Sequence, residues 1–176
     1  MSAALRALTV EEFLAWERAQ PERYEFDGVQ PLAMTGGTPD HAGTTASLIV
    51  ALGTRLRRPC RVFSGDLKVL TSGGRVRYPD ATVACGGADA QSDSIAPVVV
   101  FEVMSPSSSL TDRRVKPGDY ASVPSIAAYV VLDQAGPEAP VFRRAEDWRE
   151  TILRGPDAVL ALPEIGVEMT LAAIYG

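Results

Sequence analysis

The chain has 176 residues, 46% hydrophobic and 22% charged, which suits one soluble globular domain, residues 1–176, with a sizeable core. A net charge of -5 argues against a non-specific nucleic-acid binder. No apolar run reaches the length of a membrane span, and no secretory signal is legible at the N-terminus, so a cytoplasmic protein is expected.

Thr9-Val10-Glu11-Glu12 reads as a capping box opening a short amphipathic helix that ends before Pro21. Residues 23–34 read as a hairpin turning at Asp27-Gly28, with Pro31 marking an edge strand. Glu25, between two aromatics, reads by itself as an outward-facing strand residue. Thr38 caps a second helix with Pro39 in its first turn, running to about Arg57 on a stripe of Leu48, Ile49, Leu52 and Leu56. His41, the only histidine, falls in the first turn of that helix. Such a histidine is more often a surface or capping residue, and the helix dipole disfavours its charged form.

Strands are expected over 60–64 and 67–70, then over 76–85 with a bend or bulge at Pro79-Asp80. Cys60 and Cys85 lack CxxC spacing and read as buried thiols rather than as a disulfide or a zinc site. Between Arg55 and Arg77 lie seven cations and a single carboxylate, Asp66. They suit either a basic face or a solvated helix end followed by an exposed hairpin. Residues 86–96 are small and polar, and read as a mobile loop.

The central stretch is Pro97 to Ser109, PVVVFEVMSPSSS. Its β-branched run fits a strand buried on both faces, ended by the Ser-Pro-Ser-Ser tail. Glu102 lies inside that run, near its C-terminal end, where open α/β sheets usually carry their ligands. By position alone Glu102 could instead face solvent on an amphipathic edge strand. A loop over 105–110 and a helix over 111–123, kinked or broken at Pro117-Gly118, follow. Lys116 and Tyr120 are four apart and share a face of that helix. A buried strand over 127–133 and a hairpin of 141–144 with 151–153 come next, and residues 160–162 and 170–175 close the domain. The expected architecture is α/β: a mixed β-sheet, parallel and antiparallel, flanked by helices.

Asp80 and Glu102 lie on successive strands, which are often neighbours, so the two carboxylates can converge. Paired carboxylates suit a magnesium-type ion, which stabilises charge on a phosphodiester. At these residues the chain resembles the PD-(D/E)XK nuclease superfamily. More narrowly it is similar to a bacterial "putative restriction endonuclease" family, formerly a domain of unknown function. YEFDG with Met34, the His41 helix, YPDATV, VVVFEVMSPSSS, Asp112 with Lys116 and Tyr120, and AAYVVLD match in order over residues 9–145. The resemblance implies a restriction-endonuclease-like core and Mg2+ or Mn2+ as cofactor. It implies metal ligands Asp80, Glu102 and the carbonyl of Val103, with Glu25 as an extra acidic residue near them. It implies His41 near the pocket and Tyr120 lining it or packing against it. The superfamily places a lysine two residues after the glutamate, where this chain has Met104. In the narrower family that lysine matches Lys116, one of only two lysines, which would serve the attacking water or the developing charge.

The expected function is a metal-dependent endonuclease acting on DNA as a homodimer, with no membrane partner. The alternatives are a catalytically inactive module that keeps the nuclease fold, or a hydrolase of a smaller phosphodiester.

Overall fold

The computed structural model describes residues 8–34, 36–86, 92, 94–105 and 109–176. Its elements in chain order are α1 (Val10–Glu17), β1 (Tyr24–Phe26), β2 (Pro31–Ala33), α2 (Pro39–Gly53), β3 (Cys60–Ser64), β4 (Val69–Leu70), β5 (Val76–Arg77), β6 (Ala81–Cys85) and β7 (Val99–Met104). They continue with α3 (Ser109–Arg114), α4 (Lys116–Ala121), β8 (Ala128–Asp133), β9 (Glu138–Arg143), β10 (Glu150–Arg154), β11 (Val159–Leu162), β12 (Val167–Thr170) and α5 (Ala172–Tyr175).

The capping box forms: the Thr9 hydroxyl accepts from the Glu12 amide, and the Glu12 carboxylate accepts from the Thr9 amide. It sets α1 so that Phe13 stacks on Phe26, ring centroids 4.8 Å apart. At the first hairpin the Asp27 carboxylate accepts from the amides of Val29 and Gln30. Gly28 takes a φ of 93° there, a conformation that side chains resist.

A six-stranded sheet runs β10-β9-β8-β7-β6-β3, a four-stranded one runs β2-β1-β5-β4, and β11 pairs with β12. Pro31 therefore does lie on an edge strand. Within the large sheet β7 and β8 are parallel and the other pairs antiparallel, so the mixed sheet is as expected. Every residue of β7 is buried. Its odd positions, Val99, Phe101 and Val103, pack with Leu48 and Leu52 of α2 and with Leu160, Leu162 and Ile174. Full burial of a leucine such as Leu48 or Leu52 contributes roughly 1.5–3 kcal/mol. The even positions, Val100 and Met104, pack with Tyr120, Tyr129 and Phe142. Strand alternation thus places Glu102 on the α4 side of the sheet, in an apolar layer, and not on a solvated edge.

Three expectations change, and one left open is decided. The strand expected over 76–85 is two strands in two different sheets. Pro79 has no N–H for a ladder, and the chain leaves one sheet and enters the other at Pro79-Asp80. The second helix ends at Gly53, not near Arg57; Gly53 is a poor helix former, and the Thr54 hydroxyl caps the Val50 and Ala51 carbonyls. Residues 109–121 form two short helices joined at Val115, one of the two outcomes left open at Pro117. Cys60 and Cys85 are not thiols but a disulfide: they are register partners on β3 and β6, strands far apart in sequence that the sheet brings side by side. That bond removes the cysteine argument for a cytoplasmic location. The loops expected over 86–96 and 105–110 fall partly outside the described residues, at 87–91, 93 and 106–108. Among the described residues no helix is long and apolar enough to cross a membrane.

Candidate active site

The two sheets meet at Pro79-Asp80, and a cleft of about 460 Å³ opens along that seam. Each flanking element contributes a charged side chain. Glu25 comes from β1, Asp80 from the joint between β5 and β6, Glu102 from β7, Asp112 from α3, Lys116 from α4 and His41 from α2.

Lys116 is 7% exposed and stands among three carboxylates. Its Nζ donates to Glu102 Oε1 at 2.7 Å and lies 3.1 Å from Asp112 Oδ1 and 3.7 Å from Glu25 Oε1. The Tyr120 hydroxyl donates to the same Glu102 oxygen at 2.8 Å. The four-residue spacing of Lys116 and Tyr120 therefore brings both to one atom. Burial pushes the Glu102 carboxyl above the usual range; Lys116 opposes this, and Asp80, Asp112 and Glu25 reinforce it. Burial alone would lower the pKa of Lys116, but Glu102, Glu25 and Asp112 outweigh it and raise it, so the ammonium form is held.

Asp80 faces the other side of the cleft. Its Oδ2 accepts from the Val103 amide at 2.7 Å and lies 3.2 Å from His41 Nε2. The Val103 backbone, beside the imidazole, adds to the upward shift of the His41 pKa. Asp80 thus meets the Val103 amide on one side and the imidazole on the other. The hydrogen bond to Asp80 raises the His41 pKa against the opposing effect of burial, overriding the helix-dipole expectation. Gly37 permits this placement: a Cβ there would lie 2.9 Å from His41 Nδ1.

Glu25 does not face outward as its strand position suggested. Its Oε2 accepts from Arg77 at 2.8 Å and its Oε1 from the Tyr78 amide at 3.2 Å. Arg77, 2% exposed, also donates twice to Asp119, at 2.9 and 2.7 Å, and Arg75 pairs with the same carboxylate. Sequence reasoning gave Asp112 no role of its own and missed Arg77 and Asp119. The signals were present: Asp112 stands one helical turn before Lys116, and Arg77 stands three residues before Asp80.

The donor set suits a hard divalent cation, because four carboxylates line the cleft around one lysine. Among the described residues, no three His, Cys, Asp or Glu side chains are already arranged around one ion position. Glu102 is turned to Lys116 and Tyr120, and Asp80 to His41.

Two proteins of Synechocystis sp. (strain ATCC 27184 / PCC 6803 / Kazusa), both described as uncharacterized, are similar to this chain. One, slr1290, is 29% identical over 180 residues, covering 99% of this chain and 94% of its own. The other, sll1609, is 25% identical over 164 residues, covering 89% and 93%. A crystal structure of a "putative nuclease belonging to DUF820" from Anabaena variabilis ATCC 29413 superposes with a TM-score of 0.78. It is 17% identical and covers 96% of this chain and 97% of that one, so the two share the restriction-endonuclease-like fold. The model of the family Uma2, "Putative restriction endonuclease", matches residues 10–173, and the chain belongs to that family.

Proposed function

We propose that the protein is a Mg2+- or Mn2+-dependent endonuclease that hydrolyses phosphodiester bonds of DNA, acting as a homodimer so that two clefts meet two strands. The observation that carries this reading is the surplus of carboxylates. Glu25, Asp80, Glu102 and Asp112 line one solvent-open cleft against the single ammonium of Lys116. Such a cleft favours a divalent cation. Asp80, Glu102 and the Val103 carbonyl would hold it, and once bound it supplies a Lewis acid and a water of lowered pKa.

The remaining work falls to the side chains. Lys116 is the ammonium available to phosphoryl oxygens as charge builds on them. Tyr120 fixes the Glu102 carboxylate, and Asp112 and Glu25 hold Lys116 from its other sides. His41 and the Val103 amide keep the Asp80 carboxylate turned into the cleft.

One observation favours a second reading, a binding module without turnover. The Val103 amide and the His41 ring already meet at Asp80 Oδ2, so that oxygen is occupied without a cation. Calorimetry with Mg2+ and Mn2+, followed by nicking of supercoiled plasmid, separates the two. The nuclease reading expects metal binding that Asp80→Ala abolishes, and nicking that Glu102→Ala and Lys116→Ala abolish with the fold intact. Nicking that survives both substitutions, or none in the wild type, favours the module.

A further inference from the structure

The seven cations between Arg55 and Arg77 divide into two groups in space. Lys68, Arg75 and Arg77 turn inward, onto Glu17, Asp119, and Glu25 with Asp119. The other four, Arg55, Arg57, Arg58 and Arg61, are exposed, and none of them pairs with a carboxylate among the described residues. Neither reading of this stretch holds as a whole: three of the seven cations pair with buried carboxylates and four form an exposed patch.

The patch is held in place. Arg55 donates to the Ala51 carbonyl at 2.9 Å, anchored at the end of α2. The Arg61 guanidinium lies over the Phe63 ring, 5.3 Å from its centroid. Cys60, between Arg58 and Arg61, is bonded to Cys85 on the neighbouring strand, which ties the turn to the sheet. Four like charges within seven residues repel one another, and on a protein of net charge -5 they remain uncompensated. A regular polyanion is their natural complement.

The patch also has a defined position relative to the cleft. The start of α2 carries His41 into the cleft, and the end of β3 pairs Ser64 with Ala81, next to Asp80. The opposite ends of the same two elements carry Arg55, Arg57, Arg58 and Arg61. From His41 to the end of α2 at Gly53 the helix advances by about 18 Å at 1.5 Å per residue, and Arg55 lies beyond that end, a span of about five to six base pairs of duplex. We propose that Arg55, Arg57, Arg58 and Arg61 form a backbone-binding patch for duplex DNA, gripping phosphates about five to six base pairs from the one in the cleft. The proposal rests on the nuclease reading for its choice of polyanion. The contact is to phosphate and carries no sequence preference of its own.

The test is fluorescence anisotropy of a labelled 20-base-pair duplex of mixed sequence, titrated with protein in EDTA at several NaCl concentrations. The variants are Arg57→Ala/Arg58→Ala/Arg61→Ala combined, Glu102→Ala, and Arg18→Ala/Arg149→Ala as a control on exposed arginines elsewhere. All substituted arginines are exposed, so melting temperatures should match the wild type. The patch variant should bind at least about tenfold more weakly at 50 mM NaCl, with a salt slope smaller by about 2 to 3. The control on the distant arginines should bind as the wild type does. Equal affinity and slope in the patch variant overturn the proposal. So does a wild type that binds no duplex, including one that binds phosphatidylglycerol vesicles through these arginines instead. Plasmid cleavage with Mg2+ is scored separately. Binding through the patch without any cleavage keeps the patch and removes the nuclease reading. Cleavage that Glu102→Ala abolishes but the patch variant retains at full affinity does the reverse.

Discussion

The chain has two lysines, and each is buried in the same trio of residue types. Lys116 donates to Glu102 at 2.7 Å, and Glu102 accepts from the Tyr120 hydroxyl at 2.8 Å. Lys68 donates to Glu17 at 2.9 Å, and Glu17 accepts from the Tyr78 hydroxyl at 2.6 Å. The second trio fastens α1 to the chain segments that flank the small sheet, and neither Glu17 nor Lys68 lines the cleft. Around Lys116 stand two further carboxylates, Asp112 and Glu25, beside open solvent. A lysine–glutamate–tyrosine trio is therefore not a site in itself. Surplus charge and access turn a fastener into a candidate active site, since a buried pair shut off from solvent admits neither a cation nor a phosphate.

The widest separation between the two trios is expected in catalysis. Lys116→Ala should cut metal-dependent cleavage by at least about 100-fold, whereas Lys68→Ala should leave cleavage per folded molecule unchanged. Equal losses in both would erase the distinction. In stability the weight shifts to the other trio. Lys68→Ala leaves Glu17 buried without its lysine and should cost about 3–5 kcal/mol in urea unfolding. A cost below about 1 kcal/mol would mean that this pair fastens nothing.

Neutralising a carboxylate should give opposite signs. Glu17→Gln weakens the buried bond to Lys68 and should destabilise by about 1–2 kcal/mol. Asp112→Asn relieves repulsion with Glu102 and should raise the melting temperature by about 2–4 °C, the effect of about 1 kcal/mol in a chain of this size. Destabilisation by both would mean that the cleft carries no surplus charge. A further effect is read at high pH. Burial, with Glu17 as acceptor, pushes the Tyr78 hydroxyl up to about 12. The folded state then holds that proton more tightly than the unfolded chain, whose tyrosines titrate near ~10. This contribution is complete below about pH 10 and is lost as pH rises through about 12. The difference in unfolding free energy between wild type and Tyr78→Phe should change over that window and stay flat below it.

Local chemistry made much of the scaffold legible. The Thr9 capping box, the Asp27-Gly28 turn, the Thr38-Pro39 helix start and the apolar run of β7 all act through neighbours within a few residues, and all form. The strand break near Arg77 was less legible, because it depends on which partner strand each segment finds. The disulfide was not legible at all, since Cys60 and Cys85 meet only through the β3–β6 pairing.

The sequence by itself determined the mixed α/β class, the apolar β7 run that carries Glu102 and the shared helical face of Lys116 and Tyr120, because strand alternation and helical periodicity are local rules. Only the tertiary structure decided that Asp80 sits where two sheets join, that Glu25 turns inward onto Arg77, and that His41 reaches Asp80. It also decided which arginines are interior and which form a surface. Those arrangements depend on the direction of charged side chains across distant elements, and desolvation and pairing fix that direction only when the elements have packed.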